Sequence, residues 1–351
     1  MNALINIYKK MRTVRILGRD FTNKYAFVGI GNHSLHNLYP AIDSLKIRLK
    51  YIVCRSHRSL ELISQNYPYL TGTTDFDTVL NDEEVKGVFI CAAPAAHYQL
   101  TRQALLANKN VFVEKPVCTS SEELQRLIET EQASAGFCMV GMQKRYSPCT
   151  ALLKRRLKKD RTITYSYRFR TGAFPEGDVF WDLFIHPIDY VLFMFGSAQI
   201  LGITATKMDA GKVTLMMILK HEHGVIGNIE MSTHHFWAEA SEELYVNAES
   251  GFYEMSNHQM LYHTVKPPIL LSLPLEKVIK FTPQKRSLFN SHTFIPVFQN
   301  NQFVSQGYFG EIQAFASQSE RQQAHNLSSL KSLVETYRIV ELIRKQIEKR
   351  I

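Results

Sequence analysis

The chain has 351 residues, of which 45% are hydrophobic and 21% charged, with a net charge of +9 and a pI near 9.2. That length admits two domains with separate cores, and the composition excludes disordered and fibrous classes. No apolar run approaches the roughly 20 residues that cross a bilayer, and Cys54, Cys91, Cys118, Cys138 and Cys149 are too scattered for a disulfide framework. They read as buried thiols of a reducing compartment, the cytoplasm by default.

Residues 1–22 read as a basic N-terminal extension carrying Lys9, Lys10, Arg12, Arg15 and Arg19, without the continuous apolar core of a signal peptide. It is expected in solvent or on a sister subunit; membrane contact is the lesser expectation. From Tyr25 an apolar strand ends at Val28 and meets Gly29-Ile30-Gly31, after which Asn32 and His33 open a helical pattern running to Leu45. A strand feeding a glycine turn into a helix N-terminus is suited to a dinucleotide pyrophosphate, held on backbone N–H groups and the helix dipole. Gly29 makes the turn and Gly31 lets phosphate approach. Ser34 stands where a third glycine is expected, which predicts looser packing of helix on strand.

Strands are then expected at Leu49–Val53, Val85–Cys91, Val111–Val113 and Gly136–Gly141. Helices are expected at Leu60–Gln65, Tyr98–Ala107 and Ser120–Ala133, the last with a serine cap ahead of Glu122 and Glu123. This alternation over residues 23–141 predicts an α/β, doubly wound Rossmann domain. Dinucleotide binding to ribose hydroxyls calls for an acid after the second strand. Arg55 and Ser56 stand there instead, which favours NADP(H) and leaves NAD(H) open.

Residues 142–351 change texture. A helix at Leu152–Lys159, a strand at Thr162–Arg170 and an apolar helix at Phe180–Phe195 lead into period-2 runs from Ile200 to about Val265. These predict an α+β substrate domain with a large, mostly antiparallel open sheet. Pro267–Phe303 reads as irregular, and Ser328–Ile351 as a closing helix. The basic run Lys154–Arg161 is expected to be a solvated helix face, and the lack of any recognisable module argues against nucleic acid.

Two places offer chemistry. Glu114-Lys115-Pro116 ends a strand of the nucleotide domain, where a lysine can stabilise a developing alkoxide. Asp182 and His186 lie four apart on one helix face, where the carboxylate is placed to orient an imidazole suited to proton transfer. His221, His223, His234 and His235 are not accompanied by further ligands, so no metal site is expected. Alternation places His221 and His223 on the outer face of their strand, and His234 or His235 is a lesser candidate for the substrate pocket.

With these pieces in order, the chain resembles the glucose–fructose oxidoreductase, inositol dehydrogenase and MocA family (Gfo/Idh/MocA) over residues 25 to 345. The pieces are Gly29-x-Gly31, Glu114-Lys115-Pro116, Gly141-Met-Gln-Lys-Arg145-Tyr-Ser-Pro148, Asp182-x-x-x-His186-x-x-Asp189 and Gly307-Tyr-Phe-Gly-Glu311. The resemblance implies a catalytic Lys115, Asp182 and His186, and a cofactor site that includes Ala93, His97, Glu114 and Gln143. It implies an oxidoreductase moving a hydride between a nicotinamide and a sugar, polyol or nucleotide-sugar, and a homo-oligomer formed through the open sheet. Redox-assisted glycoside cleavage and an idle dinucleotide-binding scaffold are the alternatives. The chain departs from the family at Glu176-Gly177-Asp178, which has one glycine for two, and at Gln143 and Phe184, where asparagine and glycine are common. Phe184 is expected to reshape the pocket.

Overall fold

The computed structural model describes residues 2–17, 21–206, 209–280, 282–291, 300–320 and 325–348. Arg19 of the basic extension lies outside these, as do the side chains of Arg12 and Arg15. The N-terminal extension is helix α1 (Asn2–Leu17), with Leu4, Ile7, Tyr8 and Met11 exposed.

The first layer is a six-stranded sheet of β1 (Lys24–Val28), β2 (Arg48–Val53), β3 (Thr71–Thr73), β4 (Val85–Ile90), β5 (Asn110–Glu114) and β6 (Cys138–Gly141). Its order is β3-β2-β1-β4-β5-β6, every pair parallel. The order reverses between β1 and β4, and ligands of such sheets sit outside the carboxyl ends at that switch point. A π-helical turn, Ser34–Leu38, follows β1 and runs into α2 (Tyr39–Ser44). The other crossovers are α3 (His57–Asn66), α4 (Phe76–Leu80), α5 (Pro94–Leu106) and α6 (Ser121–Ala133). Ser56, Asp75 and Ser120 each cap a helix by accepting a backbone N–H, as their side-chain oxygens predict.

A 3₁₀ turn (Gln143–Tyr146) and α7 (Pro148–Leu157) lead into the second layer. Its eight strands are β7 (Thr162–Arg170), β8 (Ala198–Ala205), β9 (Thr214–His221), β10 (Ile226–Ser232), β11 (Ser241–Ala248), β12 (Gly251–Ser256), β13 (Met260–Val265) and, after a small hairpin of β14 (Ile269–Leu270) and β15 (Leu273–Pro274), β16 (Lys285–Asn290). The order is β16-β13-β12-β11-β7-β10-β9-β8, antiparallel except for β7 with β10. The inner face packs on α8 (Ile185–Phe195) and its π-helical lead-in, Val179–Phe184. Met216, Ile218 and Ile226 face outward and exposed.

Three expectations need correction. The segment read as irregular contains β16: an edge strand with no buried face carries no alternation to read. Lys154 is not a solvated lysine, because its Nζ donates to the Phe193 carbonyl at 2.6 Å and sits over the Phe193 ring, and burial pulls its pKa down to about 8. His221 points inward, with Nε2 2.8 Å from Tyr165 Oη and Nδ1 2.7 Å from the Gly196 carbonyl.

The chain then returns through α9 (Gln302–Ser305), α10 (Tyr308–Ser319) and α11 (Val334–Glu348). Although it falls after residue 142, α10 belongs to the core of the first layer. Ile312, Phe315 and Ala316 are fully buried with Tyr25, Phe27, Phe89 and Phe112, and the Phe315 ring centroid lies 4.9 Å from that of Phe89. Glu320 closes the junction by accepting from the Asn23 N–H at 2.7 Å.

Candidate active site

The glycine turn at the end of β1 is built as a phosphate loop requires. Gly29 has φ +99°, and a Cβ there would lie 2.2 Å from the Cys91 carbonyl oxygen, so no other residue fits. A Cβ on Gly31 would meet nothing within 4 Å, which leaves room beside its Cα. Ser34 replaces the expected looseness with a clasp: fully buried, its Oγ accepts from the Gly31 N–H at 2.9 Å and donates to the Gly31 carbonyl at 2.8 Å. At the end of β2, Arg55 is exposed beside the Ser56 cap of α3, with no carboxylate between them. The turn and the open end of β2 fit a dinucleotide. The Asn32 carbonyl lies 2.8 Å from His36 Nδ1, and Ala93 is the residue just before α5.

His97 has another role from the one expected. Its ring is 1% exposed, with Nδ1 2.9 Å from the Pro116 carbonyl and Nε2 3.0 Å from the Ala92 carbonyl. Burial holds its pKa below the usual range, and the neutral ring has one N–H to donate to either carbonyl, so His97 sits as a strut between the ends of β4 and β5.

Glu114 ends β5 in full burial. Its carboxylate lies 3.3 Å from His33 Nε2, across the carboxyl end of β4. Burial alone would raise Glu114, but His33 and then Lys115 outweigh it and hold it below the usual carboxylate range. His33 is raised in turn: burial opposes its charge, and Glu114 overcomes burial. Tyr308 joins the same cluster, its ring 5.7 Å from His33 and its hydroxyl accepting from Gln143 Nε2 at 3.3 Å. Glu311 is wholly buried; burial, then Glu114, pushes its carboxyl well above the usual range.

Lys115 Nζ donates to the Asp182 backbone carbonyl at 2.6 Å, which joins the end of β5 to the π-helical turn before α8. Burial lowers the Lys115 pKa, against Glu114 and Asp182. His186, one helical turn on, is held well below the usual histidine range by burial and then by the charges of Lys115 and Lys144. Those same causes keep the imidazole neutral, with one ring nitrogen able to accept a hydrogen bond from a hydroxyl. The π-helical register is itself of a kind that recurs at functional sites.

The Asp182 carboxylate does not orient His186 by hydrogen bonding. Its Oδ2 accepts instead from the Asp178 N–H at 2.8 Å, while the Asp178 carboxylate caps the same turn through the Phe180 N–H. Gly177 makes room: a Cβ there would stand 2.3 Å from Asp182 Oδ2. Phe184 does not reach the pocket either. It is fully buried, its ring edge-on to Phe180 at 5.8 Å, so the side chain fills core.

Two clusters escaped the sequence reading as units. Arg145 and Asp189 form a buried bidentate pair, Nε to Oδ2 at 2.8 Å, and fix α8 to the 3₁₀ turn. Lys144 binds Glu242, whose other oxygen takes the Tyr167 hydroxyl and lies 2.8 Å from His258 Nε2. Burial opposes the Glu242 charge, and Lys144 with His258 outweighs it, so its pKa is lowered. The basic residues were visible in Gln143-Lys-Arg145, but their partners on distant elements carried no local signal. Among the described residues no three His, Cys, Asp or Glu side chains gather as a metal site needs, and His234 bonds Thr214 at the end of β10.

A family model described as an oxidoreductase family with an NAD-binding Rossmann fold matches residues 23–142. The uncharacterised oxidoreductase YhhX of Escherichia coli is 25% identical over 183 residues, 49% of this chain and 53% of that one. Inositol 2-dehydrogenase 2 of Saccharopolyspora erythraea is 25% identical over 167 residues, 44% of this chain and 49% of that one. The chain thus spans about half the length of these curated relatives. In structure it is similar to a dehydrogenase from Chromobacterium violaceum (TM-score 0.77, 18% identity, 93% of this chain and 95% of that one). It is also similar to levoglucosan dehydrogenase in complex with NADH and levoglucosan (TM-score 0.75, 14% identity, 94% and 98%). At these identities the likeness is one of fold.

Proposed function

We propose, from the premise that residues 23–142 belong to the Gfo/Idh/MocA oxidoreductase family, that the chain moves a hydride between a nicotinamide and the carbinol carbon of a sugar-like substrate. The dinucleotide would be held by the Gly29–Ser34 turn and Glu114, with Arg55 and Ser56 receiving a ribose phosphate, which favours NADP(H). When bound, the nicotinamide supplies the hydride acceptor, or the donor in the reverse direction.

The observation that carries the reading is the 2.6 Å hydrogen bond from Lys115 Nζ to the Asp182 carbonyl. It draws together two groups far apart in the chain and leaves two ammonium hydrogens for a substrate oxygen. As the carbinol is oxidised, a ring nitrogen of His186 takes the hydroxyl proton, and Lys115 stabilises the negative charge growing on that oxygen. Asp182 acts as a positioning residue: its carboxylate closes the turn that carries its own carbonyl to Lys115. The exposed Met216, Ile218 and Ile226 on the outer sheet face support a homo-oligomer formed there.

Lys115→Met and His186→Ala are expected to lower kcat by about 10²–10⁴ while NADPH still binds, measured by fluorescence titration alongside turnover on a sugar panel. Unchanged turnover in either variant would overturn the assignment.

A further inference from the structure

Between the second sheet and the nucleotide domain lies a cavity of about 650 Å³. Gly29, Gly31, Arg55, Ala93 and Glu114 do not line it, so it is not the place of the dinucleotide. It touches groups around the reaction site, though not Lys115 or His186 themselves, at two points. Glu242 in its wall holds Lys144, and Tyr308 in its wall stacks edge-on to His33. From there it runs between His36 and Asn37 on one side and Phe169 to Thr171 on the other.

Among the described residues, the arginine and lysine charges at this wall are paired with carboxylates. Arg170 grips Glu230 through Nε at 3.0 Å and its second nitrogen at 3.2 Å. Lys144 is bound to Glu242, which is tied further to His258. A phosphate or carboxylate entering here would find each of these cations held by a carboxylate, and would lose its water beside two fixed negative charges. What the wall does present is neutral. Asn301 and Gln302 are exposed at the start of α9, with no side-chain hydrogen bond at that cap, and Gln306 reaches the same space. The aromatic rings of Phe169 and Tyr308 stand among them. Carboxamides offer a donor and an acceptor side by side, matching neighbouring hydroxyls, and flat rings accept the apolar C–H face of a sugar.

We infer that the substrate is an uncharged, polyhydroxylated molecule larger than a single sugar ring. One ring is oxidised at Lys115 and His186, and a second neutral unit occupies the cavity against Asn301, Gln302 and the rings of Phe169 and Tyr308. This rests on the oxidoreductase reading above for the first ring only. It narrows the substrate away from nucleotide-sugars and sugar acids, because among the described residues a diphosphate or carboxylate meets no lysine or arginine here that is not already held by a carboxylate.

The test uses the full chain with cofactor and four probes: a free hexose, a neutral disaccharide, the same disaccharide with a uronic acid as its second unit, and a UDP-sugar. Binding is followed by calorimetry and turnover by nicotinamide absorbance. The neutral disaccharide is expected to bind at least about tenfold more tightly than the other three. The double variant Asn301→Ala, Gln302→Leu should raise its KM about tenfold with kcat little changed, and leave the hexose KM where it was. Glu230→Gln, which releases Arg170, should improve binding of the uronate-bearing disaccharide. Equal binding of hexose and disaccharide, or a preference for the UDP-sugar or the uronate in the unaltered chain, would overturn the inference. Tight calorimetric binding of the disaccharide with no turnover of any probe would uphold the cavity and defeat the oxidoreductase reading, so the two failures are distinguishable.

Discussion

Replacing Asp189 by alanine isolates the energy that fixes α8, the helix carrying His186. Arg145 and Asp189 are each 3% exposed. The carboxylate accepts from Arg145 Nε at 2.8 Å, from its second nitrogen, and from the Thr336 hydroxyl at 3.0 Å. Without it, the guanidinium keeps the Ser332 hydroxyl at 2.8 Å and the Leu327 carbonyl but loses its counter-charge in a site water does not reach. Breaking a buried pair from one side costs about 3–5 kcal/mol, a large share of the roughly 5–15 kcal/mol that holds a typical protein folded. Asp189→Ala should therefore lower Tm on the order of 10 °C, read by circular dichroism, and shift the urea midpoint to match. The double variant Arg145→Met, Asp189→Leu removes both charges while filling the space, and should recover most of the loss. Turnover should follow the same pattern, because a loosened α8 misplaces His186. A cost under about 1 kcal/mol, as for a solvated surface pair, would refute the reasoning.

Three further outcomes are open to measurement. Arg55→Ala should weaken NADPH binding about tenfold and leave NADH binding unchanged in a fluorescence titration; equal effects on both would remove Arg55 from the ribose phosphate. His33 stands above its ordinary 6.5 and Glu114 below its ordinary 4.5. The histidine's share of stability is full below pH 6.5 and fades as pH rises through its raised value; the glutamate's is full above pH 4.5 and fades as pH falls through its lowered one. The stability gap between the unaltered chain and His33→Ala, from urea titrations, should thus peak in mildly acidic buffer and shrink towards alkaline pH, and a gap independent of pH would count against the pair. In Gly177→Ala the new methyl would stand 2.3 Å from Asp182 Oδ2, so Tm and kcat should both fall; retention of both would mean the turn can yield there.

The sequence disclosed the first layer well because each of its elements announces itself locally. Val28, Ile90 and Val113 end apolar runs buried on both faces, and Ser56 and Ser120 are caps whose chemistry needs no tertiary partner. The Lys115 and Asp182–His186 segments were legible for a similar reason: polar groups stood out against apolar surroundings. Contacts across distance stayed hidden. Nothing near Asp182 says that its carboxylate turns to the Asp178 N–H, nothing near Lys144 points to Glu242, and β16 had no buried face to betray it. Phe184 misled because a bulky residue at a motif position looks like pocket, while the π-helical turn rotates it into core.

The aromatic plug supplied by α10 has a consequence for how the protein is made. On a ribosome the nucleotide-binding half emerges early, with the hollow between Tyr25, Phe89 and Phe112 uncovered. Phe315 can stopper it only after every strand of the other half has been synthesised. Vectorial folding therefore ends where it began, and a truncated product stopping at residue 142 should clump through its bare rings instead of capturing dinucleotide.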